Sequence, residues 1–186
     1  GSIIPSDYTA VFSGIKQFFP NGMKSLKDKN HKLIFVPHEV DTNSIENISV
    51  ALKSAGFTYH LYSQGIPSES DNVVVVDVMG ILPELYFYSD LAYIGAGFSA
   101  GIHSVIEPAV YLNIISHGPN YKIVDMAVSL IENELATLIN NGDDFYEFLN
   151  ILEDSERLHS LQSQMNKFMS TQSQASENIR ALIFND

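Results

Sequence analysis

Four short stretches of this chain hold the residues whose types and spacing could do chemistry: Pro37-His38-Glu39, Met79-Gly80, Gly95 to Glu107, and His117-Gly118-Pro119-Asn120. Each follows an apolar run of strand length, and in an open α/β sheet ligands bind beyond the carboxyl ends of the strands. The third stretch, YIGAGFSAGIHSVIEP from Tyr93 to Pro108, is the richest. Its glycines, Gly95, Gly97 and Gly101, form G-x-G-x-x-x-G, one residue longer than the dinucleotide fingerprint, and they fall late in the chain instead of in its first βα unit. No acid ends the next strand to hold a ribose in the dinucleotide manner, so the spacing argues against a nicotinamide or flavin cofactor. No Lys-Ser or Lys-Thr follows the glycines, which excludes a phosphate-loop ATPase. What survives is a glycine-rich turn feeding a helix start, whose free N–H groups and partial positive charge favour a phosphate.

The polar residues of that stretch admit two readings. Ser104 and Glu107 are three apart and could form a capping box at a helix start. Alternatively, the Glu107 carboxylate projects from a start constrained by Pro108 and accepts both hydroxyls of a ribose. His103 could donate to a phosphate or a sugar carboxylate, or be structural, and His38 carries the same ambiguity. No His or carboxylate cluster has metal-ligand spacing, and no nucleophile elbow supports a Ser-His-Asp triad. Neither metal nor cofactor is expected.

The elements that must position these residues follow from hydrophobic periodicity. Strands are expected at Lys32 to Val36, Thr58 to Tyr62, Val73 to Val76, Leu91 to Ile94, Asn113 to Ser116 and Ala136 to Ile139. They alternate with helical patterns, the signature of a parallel sheet covered by helices. The run of four valines predicts a central strand buried on both faces. Helices fit Ser6 to Phe19, Asn43 to Ala55 with a capping-box-like Asn43 and Glu46, Leu82 to Tyr88, Ser104 to Leu112 and Tyr121 to Ile131. From Asp143 onward only helices are expected. One stripe holds Phe145, Phe148, Leu149 and Leu152, another Leu158, Leu161, Met165 and Phe168, and a third lies in Ser173 to Phe184. Because a helix comes almost at once, the first strand of such a sheet could lie upstream of Gly1, and Gly1-Ser2 could be native or a tag remnant.

Composition narrows the function classes. The 186 residues, 45% hydrophobic and 17% charged, suit one soluble α/β domain spanning 1–186, with 143–186 as a helical tail packed on it. No apolar run approaches the roughly 18 residues of a membrane-spanning helix. The absence of cysteine excludes disulfides and thiolate metal sites. A net charge of -12, with eight Lys and two Arg, works against nucleic acid as a partner and offers no basic cluster for an anionic membrane.

Gly-Ser-Ile-Ile-Pro at the start, Val-Pro-His-Glu at 36–39, Asp77-Val-Met-Gly80, the Tyr93–Ala109 stretch and His-Gly-Pro-Asn-Tyr at 117–121 keep an order that resembles a known family. It is the C-terminal half of 3-deoxy-D-manno-octulosonic acid (Kdo) transferases, two-domain GT-B glycosyltransferases of lipopolysaccharide assembly. The resemblance covers nearly the whole chain and implies a Rossmann-like parallel sheet flanked by helices. It implies that this domain binds CMP-Kdo or CMP, and that the full enzyme transfers Kdo to a lipid A precursor at the cytoplasmic face of the inner membrane. The acceptor domain and the catalytic carboxylate would belong to an N-terminal half absent from this chain, so no catalytic residue is expected here. Carried over, Glu107 would hold the ribose, with His103 and Ser104 beside it, where Ser104 stands in place of a usual Asn. Gly97 and Gly101 would let the backbone approach the donor, Met79 and Gly80 would flank the cytosine, and Pro37-His38 would match a motif that often reads Arg-His or Lys-His. Ile81 replaces a frequent Glu. The family's terminal helix commonly crosses to the other domain, which predicts exposed apolar surface on Ser173 to Phe184. Two other readings stay open: a GT-B domain using a UDP-sugar, and a non-catalytic α/β binding module in which Ser104 and Glu107 only cap a helix.

Overall fold

The structure, a computed structural model, describes the backbone of residues 1–184 and the side chains of residues 1–172. Six short parallel strands form two three-stranded sheets. The first has the order β1 (Leu33–Phe35), β3 (Val73–Val75), β2 (His60–Leu61). The second has the order β4 (Leu91–Ile94), β5 (Ile114–His117), β6 (Ala136–Leu138). The helices are α1 (Tyr8–Phe18), α2 (Met23–Asp28), α3 (Thr42–Ser54), α4 (Leu82–Leu85), α5 (Ile106–Val110), α6 (Asp125–Glu132), α7 (Gly142–Leu149) and α8 (Ser155–Phe184). The parallel α/β class and the helical end of the chain agree with the sequence reading.

The single sheet expected from sequence is a pair of half-sheets joined by the first three residues. The Ile3 N–H donates to the Val36 carbonyl and the His38 N–H donates to Ile3, making a parallel bridge to the end of β1. On the other side the Gly1 nitrogen donates to the Tyr93 carbonyl and the Gly95 N–H donates to Gly1. Gly1 to Ile3, which periodicity did not read as a strand, thus lies between the ends of β1 and β4. Gly95 permits it, because a Cβ there would strike the backbone of Ser2 and Ile3.

Strand alternation divides the core. Phe35, Val73, Val75 and Ile114 face a cluster built with α1, α3 and α7. Ala92, Ile94 and Ile115 face the opposite cluster with Val105 and Ala109 near and on α5, Ala127 and Leu130 on α6, and Met165 on α8. Of the second expected stripe, Leu158 and Leu161 pack on the first cluster, and Met165 and Phe168 belong to the second. The apolar tail expected at Ser173 to Phe184 lies outside the described side chains.

Two local expectations are corrected. Three of the four valines, Val73–Val75, do form the middle strand of their half-sheet, yet Val74 is only half-buried and borders an open groove with Ile34. The strand buried at every position is β5. Helix α3 is capped by Asp41, whose Oδ1 accepts from the N–H groups of Asn43 (2.8 Å) and Ser44 (3.1 Å), instead of by an Asn43-Glu46 box. An Asp two residues before Asn43 is the better cap because its side chain reaches both orphan donors.

Candidate functional site

The glycine-rich turn after β4 is fixed from beneath by a residue that periodicity did not single out. Asp7, fully buried, accepts from the Ile4 N–H (2.9 Å), the Tyr93 hydroxyl (2.9 Å) and the Ala96 N–H (3.0 Å). Ala96 sits at φ 68, a left-handed conformation that L-residues adopt at a cost, and its carbonyl accepts from the Ser99 and Gly101 N–H groups. The turn is therefore a preset backbone shape tied to β4 and to the N-terminal segment. In sequence Asp7 looks like an ordinary early-helix acid, and only its long-range partners show its role.

The glycines serve the protein's own packing. A Cβ on Gly97 would stand 2.6 Å from the Gly118 nitrogen, and one on Gly101, at φ +115, would meet the Ile123 side chain at 2.5 Å. A Cβ at either position would meet the loop after β5, so that loop's close approach requires glycine at both. They draw the loops after β4 and β5 together, with the Asn120 N–H donating to Gly97 (2.8 Å) and the Ile102 N–H to Asn120 (3.1 Å). Gly80, at φ +91 with nothing near its Cβ position, does leave open space. Beside it Met79 is 69% exposed, an apolar side chain standing at the carboxyl end of β3.

The capping-box reading of Ser104 and Glu107 fails. Helix α5 begins at Ile106, two residues later than expected, with Val105 at its cap position. Ser104 Oγ accepts from the Ile106 N–H at 3.3 Å, and Glu107 lies inside the first turn with Pro108 after it. The Glu107 side chain is exposed and makes no hydrogen bond or ion pair among the described residues. Its charge is felt by Tyr86, whose phenol is pushed above its ordinary value by burial first and by Glu107 second. An unpaired carboxylate on a short helix at the sheet edge is free to accept hydroxyls.

His103 and His38 come together from different loops. Their rings stack with centroids 4.5 Å apart at 24°. His38 Nε2 lies 3.5 Å from Glu39 Oε1, whereas His103 Nε2 is buried without a partner among the described residues. Burial, and then the neighbouring His38 ring, hold the His103 pKa below its ordinary value. Pro37 is buried at the bridge to Ile3 and presents backbone only. The structure thus brings Pro37, His38 and His103 to the junction of the two half-sheets, with Ser104 and Glu107 following at the start of α5 and Met79 and Gly80 after the end of β3. Among the described residues, no group of three His, Asp or Glu side chains stands where it could hold a metal ion.

No known family profile matches the chain. In sequence it is 29% identical over 134 residues to a bifunctional glycosyltransferase/methyltransferase of Fusobacterium nucleatum, covering 69% of the chain and 20% of that protein. It is 30% identical over 114 residues to a 3-deoxy-D-manno-octulosonic acid transferase of Rickettsia felis, covering 61% and 23%. A transferase of the same name from Chlamydia trachomatis is 28% identical over 143 residues, covering 75% and 31%. The chain therefore spans a third or less of the length of these relatives. In fold it matches the crystal structure of the C-terminal CMP-Kdo binding domain of WaaA from Acinetobacter baumannii. The TM-score is 0.73 at 18% identity, over 90% of this chain and 86% of that one. The resemblance read from the sequence motifs is thus met by sequence relatives and by the fold.

Proposed function

We propose that this chain is the donor-binding domain of a glycosyltransferase that moves Kdo from CMP-Kdo to a lipid A precursor in lipopolysaccharide synthesis. The observation that carries the reading is the exposed, unpaired Glu107 carboxylate on α5, set beside the His38–His103 pair at the strand ends of this fold. A ribose offers two adjacent hydroxyl donors, and a carboxylate accepts both. Met79 and Gly80 supply an apolar face and open backbone for the cytosine, and His103 and the glycine turn lie on the path to the phosphate. Pro37 replaces the cation that the resembling motif often carries, so phosphate binding rests on His38, His103 and backbone N–H groups.

The binding side of the chemistry is all that these residues provide. Acceptor and catalytic carboxylate would come from another domain, with the whole protein at the cytoplasmic face of the inner membrane. Among the described residues no helix is long and apolar enough to cross a membrane. Ser104 Oγ serves the Ile106 N–H at the helix start, whereas no described hydrogen bond or ion pair accounts for Glu107, which supports a binding role for that carboxylate.

Calorimetry with CMP tests the reading. The chain should bind CMP with EDTA present, and Glu107→Gln should weaken it roughly 10- to 100-fold, the range for a lost charge-assisted hydrogen bond of about 1.5–3 kcal/mol. Equal affinity of the two proteins for CMP, or tighter binding of UDP than of CMP, would refute it.

A further inference from the structure

We propose that the cavity between the turn 99–101 and the segment from Pro119 to Ile123 seats the carboxylate of the donor's sugar, with Lys122 as its counter-ion. This rests on the donor-binding reading and deepens it. The cavity has a volume of about 360 Å³ and includes Gly101, Asn120 and Lys122 in its lining. That size is within the usual range for small-ligand sites. Lys122 is exposed and makes no ion pair with any described residue.

A census of charge singles out this lysine. Among the described residues, the loops that follow the six strands hold one Lys or Arg, and it is Lys122. The neighbouring strand ends carry Glu39 and Asp77, and the chain as a whole carries -12. An octulosonic acid linked to CMP brings a phosphate and a carboxylate to this acidic edge. Lys122 is therefore the one Lys or Arg that the described strand-end loops can offer it.

Position favours the carboxylate over the phosphate. His103 stacks on His38 from the loop after β1, so the His103 side of the turn faces the first half-sheet. One residue earlier, the Ile102 N–H donates to Asn120 in the loop after β5, so the Gly101–Ile102 end faces the second. A donor with its ribose at Glu107 and its phosphate beside His103 projects its sugar across the turn, toward β5 and Lys122. The Asn120 side chain is held in place by donating to the Ser99 carbonyl at 2.8 Å, which braces the two walls of the cavity.

The test compares CMP with freshly prepared CMP-Kdo on the unsubstituted chain, Lys122→Met and Lys122→Arg, each verified as folded by thermal melting. The unsubstituted chain should prefer CMP-Kdo by roughly tenfold, a typical contribution of one charge-assisted contact. Lys122→Met should bring the ratio close to one while CMP alone binds within about twofold of the original, and Lys122→Arg should keep the preference. Retention of the preference in Lys122→Met would overturn the assignment, as would equal weakening of both ligands, which would put the lysine on the phosphate. Failure of the unsubstituted chain to bind CMP would instead overturn the donor reading, and this assignment with it.

Discussion

Removal of the Asp7 carboxyl tests whether the glycine turn is held from beneath. In Asp7→Ala the Ile4 N–H, the Ala96 N–H and the Tyr93 hydroxyl lose their common acceptor at a fully buried position. Each orphaned buried donor costs about 1–3 kcal/mol, but partial relaxation and water entry keep such losses from adding in full. A total of about 3–5 kcal/mol is expected, as for other broken buried polar networks. At roughly 2–4 °C per kcal/mol for a chain of this size, Tm should fall by roughly 6–20 °C. Asp7→Asn separates acceptor geometry from charge. Its amide oxygen can serve the two N–H groups on Oδ2, while its NH2 turns toward the Tyr93 oxygen, which can accept. It should cost less than half as much as Asp7→Ala. Scanning calorimetry of both variants decides the matter. A Tm drop under about 3 °C for Asp7→Ala, or equal drops for the two variants, would refute the argument that these three bonds anchor the turn.

Two further outcomes follow from the same packing. Gly97→Ala would place a Cβ 2.6–2.7 Å from the Gly118 nitrogen and Cα, with backbone on both sides unable to yield. It should lower the urea midpoint by the equivalent of about 2–4 kcal/mol, and an unchanged midpoint would show that the loops after β4 and β5 are not in contact. His117 is fully buried, its Nε2 has no partner among the described residues, and burial holds its pKa below the ordinary value. The folded state then binds fewer protons than the unfolded one. Stability is therefore retained above the unfolded value of about 6.5 and lost below it, by at most about 1.4 kcal/mol per pH unit for this group. Urea titrations at pH 7.5 and 5.5 should show a steeper loss in the unsubstituted chain than in His117→Leu. Identical losses would contradict a neutral buried imidazole.

Periodicity located the strands to within two residues at each end, because burial on one side or both leaves a local imprint in the sequence. It could not show that Gly1 to Ile3 lies between β1 and β4, since three extended residues have no period and their partners are tens of residues away. The same limit hid Asp7, whose partners Tyr93 and Ala96 are 86 and 89 positions distant. Glu107 was legible as a candidate from its place after a glycine-rich strand end. Its freedom was not, because Ser104 and Glu107 have the spacing of a cap and only the late start of α5 separates them. Lys122 passed unnoticed for a related reason: a lone lysine in a loop is ordinary until the other strand ends are seen to have none.

The distribution of paired and unpaired polar groups around the turn is itself an argument for binding. Beneath it, every group Asp7 serves is matched, as burial demands. Above it, Glu107 and Lys122 make no ion pair with any described residue, and His103 Nε2 lacks a hydrogen bond. Glu107, on the helix after the turn, and Lys122, in the loop packed against the turn, are of opposite sign and form no ion pair with each other. A surface selected only for solubility has no reason to keep its anchors rigid and its charges apart. A ligand with hydroxyls at one end and a negative charge at the other supplies that reason, because each end finds a partner already in place and the backbone between them has nothing left to order.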